Sequence, residues 1–302
     1  MKFSIIIPTY NRALILKRTL YSIKDQTFSK KNFEVLVIDD GSTDKTKNII
    51  MDFIKNNSLN IKYFYQNHQG PGQARNLGIN NSQGEIIVFV GDDTIFEKNL
   101  LANHNKTHIK MPNIIVLGMV FWDKSIEINN FMNYISPNGP QFNFGSIKNI
   151  RDAGWNHFYT CNISLPRKII SNLRFDSRYI YAAFEDIDFG LSLYKKGIKI
   201  FFNKEAIVYH SHFYNSELFY KRMINVGKSF VIFSDKYKKN IIDSLRLKLY
   251  YAPFNFFNLQ LRLFVFFSKI LSNQKLLKKI NLKYHWYFNI CYHYSLGIIK
   301  KK

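Results

Sequence analysis

EIIVFVGDDT, residues 85–94, is an apolar run that ends in two adjacent carboxylates, Asp92 and Asp93. Like charges side by side at the mouth of a buried strand call for a cation or hydrogen-bond donors to offset them. Read alone, the pair is a turn signal or a metal site. A second apolar run, Phe33 to Ile38, also ends in paired acids, Asp39 and Asp40, followed by Gly41 and Ser42. Two strands that deliver acids to one edge point to a nucleotide and metal site.

Working outward, short apolar runs alternate with amphipathic stretches through the first half of the chain. Strands are expected at residues 3–7, 33–38, 61–65, 85–90 and 114–118, with helices at 12–26, 43–57, 71–81 and 97–108. That alternation is the pattern of an α/β fold with a mainly parallel sheet covered by helices. Ser42 and Asp44 open the second helix and Pro71 the third, as helix start signals predict. In such sheets, ligands bind beyond the carboxyl ends of the strands. Pro8-Thr9-Tyr10-Asn11-Arg12 follows the first strand there, and Asp39-Asp40 the second. The alternative for both turns is helix capping by Asn11 and by Asp40 or Ser42. Gly70-Pro71-Gly72-Gln73-Ala74-Arg75 combines glycines with an arginine on the first turn of a helix, where free amides favour an anion.

From Trp122 to Trp155 the periodicity stops, and this stretch reads as an ordered but mobile loop over a site. Glu185-Asp186-Ile187-Asp188 opens a helix that stops at Gly197, and its acids complement the amino end of that helix. Strands are expected at 199–202 and 206–209, followed by His210 and His212, which share a face of an extended segment. Trp155 and Asn162 offer an aromatic face and an amide, both suited to a sugar, and Trp155 equally suits a core.

Lys and Arg outnumber Asp and Glu 43 to 21 in 302 residues, for a net charge of +22. From Asn215 to Lys302 there are 17 basic and 3 acidic side chains, interleaved with Phe, Tyr, Leu and Ile. Such a region fits an anionic membrane surface, a solvated face on packed helices, or a contact between copies of the chain. Polybasic character also fits nucleic acid, but no recognition motif for it is visible. The aromatic content of 17% excludes a disordered chain. Cys161 and Cys291 make neither a disulfide framework nor a zinc cluster. The first residues lack a signal-peptide core and no uncharged run reaches the roughly 18 apolar residues that span a bilayer. A cytoplasmic protein is expected, peripheral on the inner face of the membrane where the basic tail meets lipid.

SIIIPTYNR, VLVIDDGSTD, GPGQARNLGI, FVGDDT and FEDIDFGLSLYKKG occur in an order and spacing that resemble family 2 glycosyltransferases, over roughly residues 3 to 212. The resemblance implies the nucleotide-binding glycosyltransferase-A fold, a Rossmann-like sheet flanked by helices. A catalytic domain would cover residues 1–214, with a nucleotide-sugar half at 1–118 and an acceptor half at 119–214. A basic, aromatic, helical region would follow at 215–302. It implies that Pro8, Thr9, Tyr10, Arg12 and Asp40 contact the nucleoside and its ribose, and that Arg75 lies near base and phosphates. Asp92-Asp93 resembles the DxD element, in which Asp93 holds Mn²⁺ or Mg²⁺ and Asp92 faces the donor ribose or sugar. The first Asp of that element is Gly91 here. His210 matches a further metal ligand, and Glu185-Asp186 matches the catalytic pair whose Asp is the general base. The implied reaction is inverting transfer of a sugar from a nucleotide sugar, UDP-linked, to a glycan or lipid-linked acceptor in capsule or lipopolysaccharide assembly. The departure at Gly91 keeps open an inactive family member that only binds nucleotide.

Overall fold

The computed structural model describes residues 1–237, 266, 270 and 282–301. About half of the basic region from Asn215 to Lys302 lies outside them, including residues 238–265 and 271–281. In chain order, the elements are β1 (Phe3–Thr9), α1 (Ala13–Lys24), β2 (Phe33–Asp39), α2 (Thr46–Lys55), β3 (Ile61–Tyr65) and α3 (Pro71–Asn81). There follow β4 (Ile86–Val90), β5 (Thr94–Phe96), α4 (Leu100–Lys110), β6 (Ile115–Trp122), α5 (Asn130–Ile135) and β7 (Asn162–Pro166). Then come α6 (Arg167–Ile170), α7 (Glu185–Tyr194), β8 (Ile200–His210), α8 (Ser216–Lys236) and α9 (Leu282–Lys301).

The strands form one sheet in the order β3-β2-β1-β4-β7-β6-β8-β5. The β3-β2-β1-β4 half is parallel, while β7 runs antiparallel to both β4 and β6. Helices cover both faces of the parallel half, so β2 and β4 are buried at every residue and read as unbroken apolar runs. The chain runs from β1 to β2 and β3 on one side, then returns to β4 on the other. This reversal opens a crevice at the carboxyl ends of β1, β2 and β4, which end at Thr9, Asp39 and Val90.

Several local expectations change. Residues 200–210 form one strand rather than two, with a register shift against β6 at Gly118/Met119. Helix α2 starts at Thr46, because the Asp44 carboxylate accepts from the amides of Thr46 (2.9 Å) and Ala13 (3.2 Å). The aperiodic stretch from Trp122 to Trp155 is packed rather than open: it contains α5, and Phe142, Phe144 and Ala153 join the hydrophobic core.

Two compact units are present. The first holds residues 1–128, 135–180 and 185–213, and includes the whole sheet. The second holds residues 129–134, 181–184 and 214–302. In it, α8 is capped by Asn215, whose side chain accepts from the Leu218 amide, and the rings of Phe131, Phe219, Tyr220 and Trp286 cluster edge to face. Among the described residues, no helix is long and apolar enough to cross a membrane.

Candidate active site

The first group is built around Asp40, buried after β2. Its carboxylate accepts from the Gln66 side chain (2.6 Å), from the amides of Gln69 (3.0 Å) and Gly70 (2.9 Å), and faces His68 Nδ1 at 2.8 Å. Gly70 has a φ of +91°, and a Cβ there would meet the Ile180 carbonyl oxygen at 2.8 Å. Only glycine turns its amide onto Asp40 without strain. Asp39 is held by Tyr63 Oη (2.8 Å) and the Ser42 amide (2.8 Å). Tyr10, 43% exposed, stacks on His68 with ring centroids 4.2 Å apart. An open aromatic face beside a donor-lined carboxylate suits a planar heterocycle. Asn11 points its side chain at the Thr43 and Asp44 amides instead of capping α1, with a left-handed φ of 53°.

Asp92 and Asp93 lie at the crevice after β4. Asp92 accepts from Thr9 Oγ1 (2.8 Å), and its backbone oxygen from Thr19 Oγ1 (2.7 Å). The Arg12 guanidinium bridges the pair, with Nη1 3.1 Å from Asp92 Oδ1 and 2.5 Å from Asp93 Oδ2. His210 Nε2 (3.2 Å) and His212 Nδ1 (3.4 Å) converge on the same Asp93 oxygen. Trp122 stacks on His210 and fixes its plane. Burial disfavours the Arg12 charge, but Asp93 and Asp92 outweigh it and hold the guanidinium above its usual value. Asp92 is pushed up to about 6, by burial first and by Asp93, against the pull of Arg12. Asp93 is held well below the carboxylate range, since His210, His212 and Arg12 overcome its burial. A Cβ at Gly91 would lie 2.8 Å from Asp93 Oδ1, so an Asp at 91 would crowd this arrangement.

Among the described residues, no three acidic, histidine or cysteine side chains enclose an ion. Asp93 and His210 nevertheless supply a carboxylate and an imidazole side by side, a donor set suited to Mn²⁺ or Mg²⁺ when substrate phosphates complete the coordination. His212 is engaged by Arg12 Nη2 at 3.0 Å.

The third group is at the start of α7. Asp186 is half-buried and accepts from its neighbouring Ile187 amide (2.8 Å) and from the Thr160 backbone. Its carboxyl is pushed up to about 7 by burial and then by Glu185, with Arg75 pulling the other way. The Cys161 thiol is pushed up by burial and by the charges of Asp186 and Asp93.

Three expected residues sit differently. Arg75 Nη1 is bonded to Glu185 Oε1 at 3.0 Å. Asn162 is 0% exposed: its amide nitrogen donates to the Met119 and Ala206 carbonyls and its oxygen meets His104 Nε2. That leaves nothing for a sugar and corrects the acceptor reading of Asn162. Trp155 is buried in a single 3₁₀ turn, Trp155–His157, which takes its core alternative. His68, Gln66 and Tyr63, absent from the sequence reading, surround Asp39 and Asp40. Their one available signal is position, since β3 and the loop after it flank β2 in the sheet.

The family model for glycosyl transferase family 2 matches residues 4–174. The poly(ribitol-phosphate) β-N-acetylglucosaminyltransferase TarS of Staphylococcus aureus is 39% identical over 103 residues, 34% of this chain and 18% of TarS. The uncharacterized glycosyltransferase YfnE of Bacillus subtilis is 26% identical over 93% of this chain and 82% of its own length. The structure of TarS 1–349 with UDP superposes with a TM-score of 0.59 at 19% identity, covering 99% of this chain and 91% of that one. The mannosyltransferase PcManGT of Pyrobaculum calidifontis, bound to GDP-Man and Mn²⁺, gives 0.65 at 16% identity, covering 99% and 86%. These likenesses identify the architecture as the glycosyltransferase-A fold.

Proposed function

The chain belongs to glycosyl transferase family 2, and from that premise we propose that it moves one sugar, with inversion, from a nucleotide sugar to a glycan or lipid-linked glycan acceptor. The observation that supports this most is the buried acid pair Asp92-Asp93, on which Arg12, His210 and His212 converge at the carboxyl end of β4.

Tyr10 offers its ring to the nucleobase, and the loop held on Asp40 forms the edge of that pocket. We take the base as uracil, the nucleotide of the TarS complex. The acceptor hydroxyl gives its proton to Asp186 while its oxygen attacks the anomeric carbon from the face opposite the diphosphate. Negative charge then develops on the leaving diphosphate beside Arg12, whose N–H groups and charge stabilise it. A divalent ion on Asp93 and His210 would neutralise that diphosphate.

The net charge of +22 suits an acceptor that is itself anionic or lies on an anionic membrane. TarS takes a poly(ribitol-phosphate) by its name, and surface-polymer assembly of the capsule or lipopolysaccharide kind is the setting we assign. The test is thermal stability against UDP, GDP, ADP and their sugars, each with and without Mn²⁺, followed by release of nucleoside diphosphate. Stabilisation confined to one base, with turnover, supports the reading. Stabilisation without turnover on any acceptor favours the nucleotide-binding, inactive member that the glycine at 91 motivates. No stabilisation of folded protein would overturn the donor site.

A further inference from the structure

Arg75 lies on the first turns of α3, where the family resemblance places it against the donor. Its geometry points elsewhere. It is 6% exposed, its guanidinium carbon lies 5.6 Å from the Phe175 ring centre, and its charge meets Glu185, itself 3% exposed, at 3.0 Å. We propose that Arg75 is a positioning residue for the acceptor-side acids: it pins Glu185 at the start of α7 and sets the charge that Asp186 faces. This rests on the reading of Asp186 as the group that takes the acceptor proton.

Glu185 and Asp186 are consecutive, so their charges repel across a short span with little water between. The bond to Arg75 runs from Nη1 to Oε1, and among the described residues both Arg75 Nε and Glu185 Oε2 lack a hydrogen-bond partner. Glu185 is therefore incompletely paired. The groups facing Asp186 are Glu185 on its own helix, Arg75 from α3 and Cys161 just before β7, together with the amides of Ile187 and Thr160. Of these, Glu185 favours the protonated acid and Arg75 the carboxylate. Their opposition leaves Asp186 at about 7, where a base both holds and gives up a proton near neutral pH.

The experiment is a double-mutant cycle of Arg75→Gln, Glu185→Gln and the two together, with Arg75→Lys as a charge-keeping control. The Asp186 carboxyl is titrated by isotope-edited infrared difference spectroscopy against Asp186→Asn, without substrate. The same variants give pH profiles of kcat and dissociation constants for UDP. Arg75→Gln is expected to raise the midpoint by about one pH unit and lower kcat at pH 7 about fivefold, with recovery by pH 9. Glu185→Gln lowers the midpoint, while the double variant and Arg75→Lys stay near the wild type. UDP binding is unchanged throughout. An unmoved midpoint in Arg75→Gln with UDP binding weakened tenfold would assign Arg75 to the donor and overturn the inference. A shift in Arg75→Lys as large as in Arg75→Gln overturns it too. Should Arg75→Gln fail to fold, the double variant, which keeps the contact without charge, is compared with Glu185→Gln: equal midpoints would show that Arg75 sets nothing. If wild-type protein turns over no nucleotide sugar, the functional reading fails, and the infrared titration still decides the role of Arg75.

Discussion

Two groups in the first unit share one composition, two consecutive acids and an arginine, and are wired differently. In the first, Arg12 Nη1 reaches both Asp92 and Asp93, and two imidazoles add to Asp93. In the second, Arg75 reaches Glu185 alone and leaves Asp186 with backbone amides. Compensation fixes Asp93 as an anion well below the usual range, whereas partial compensation leaves Asp186 at about 7. A carboxylate that binds charge must stay ionised, and one that accepts a proton must lie close to the working pH. In the function we propose, two acids and an arginine serve binding in one group and proton transfer in the other, according to which acid the arginine touches.

The largest way to break this comparison is Asp186→Asn. Removing a general base costs about 10²–10⁴ in rate, so kcat should fall by about a thousandfold while UDP binding and melting temperature stay put. Retention of most activity would remove Asp186 from the chemistry. The contrasting variant, Asp93→Asn, should weaken binding of the nucleoside diphosphate as well as turnover, because Arg12, His210 and His212 lose their common partner.

A third group buries titratable side chains by keeping them uncharged. His104 and His108, one turn apart on α4, meet Asn162 and Ser164, two apart on β7, so helix and strand spacing match. The Asn162 nitrogen is spent on two carbonyls, so His104 Nε2 must donate to Asn162 Oδ1 and its Nδ1 must accept from Ser164 Oγ. His108 Nε2 donates to the same hydroxyl at 2.7 Å. Both rings must be neutral, and burial lowers them to about 4 and about 3, with the charge of His104 adding to His108. Between those values and the unfolded value near 6.5, the unfolded chain binds more protons. The stability these residues contribute is therefore whole above about pH 6.5 and lost as pH falls toward 4, about 2 kcal/mol per imidazole by pH 5. Urea melts at pH 7 and 5 check this. His108→Leu should roughly halve the slope of stability against pH, and an unchanged slope would sink the account.

These histidines also explain what the sequence hides. The parallel strands are legible because burial on both faces makes them continuous apolar runs, and the acids at their ends follow directly. Strand β7 carries Asn162 and Ser164 as partners of the histidines, and its five residues are too short a run for its alternation to stand out. Strand β5 has three residues, too few for any period. Strand β8 passes through Asn203-Lys204-Glu205 beside its register shift, which reads as a turn between two strands. The acids of the site were legible from motifs. His68, Gln66 and the Arg75–Glu185 pair were not, since their roles depend on which loops the strand order brings together.

A smaller effect separates the two arginines. Arg12→Gln leaves Asp92 and Asp93 facing each other with only the imidazoles for compensation. The Arg12 side chain is 36% exposed, and water screens part of the change, so the expected loss is about 1 kcal/mol of stability. Diphosphate affinity should fall alongside it and become more dependent on salt, with the pH profile of kcat unmoved. A pH profile displaced as in Arg75→Gln would mean that the two arginines are not divided between binding and proton transfer.

The smallest expected effect tests whether the donor side is separable from both acid groups. Tyr10 carries no charge and touches His68, not Asp93 or Asp186, so its contribution is the stacking face it offers. Stacking of a base on an aromatic side chain is worth about 1–3 kcal/mol, and the open side of Tyr10 sets the lower end. Tyr10→Ala should weaken UDP about five- to tenfold by calorimetry, while Tyr10→Phe, which keeps the ring, stays near wild type. Turnover at saturating donor should be unaffected, because the base is far in bonds from the carbon that reacts. A drop in saturated turnover would show instead that the loop from Tyr10 to Arg12 transmits ring position to the acid pair, through Asn11, the one residue that separates the stacked face from the bridging guanidinium.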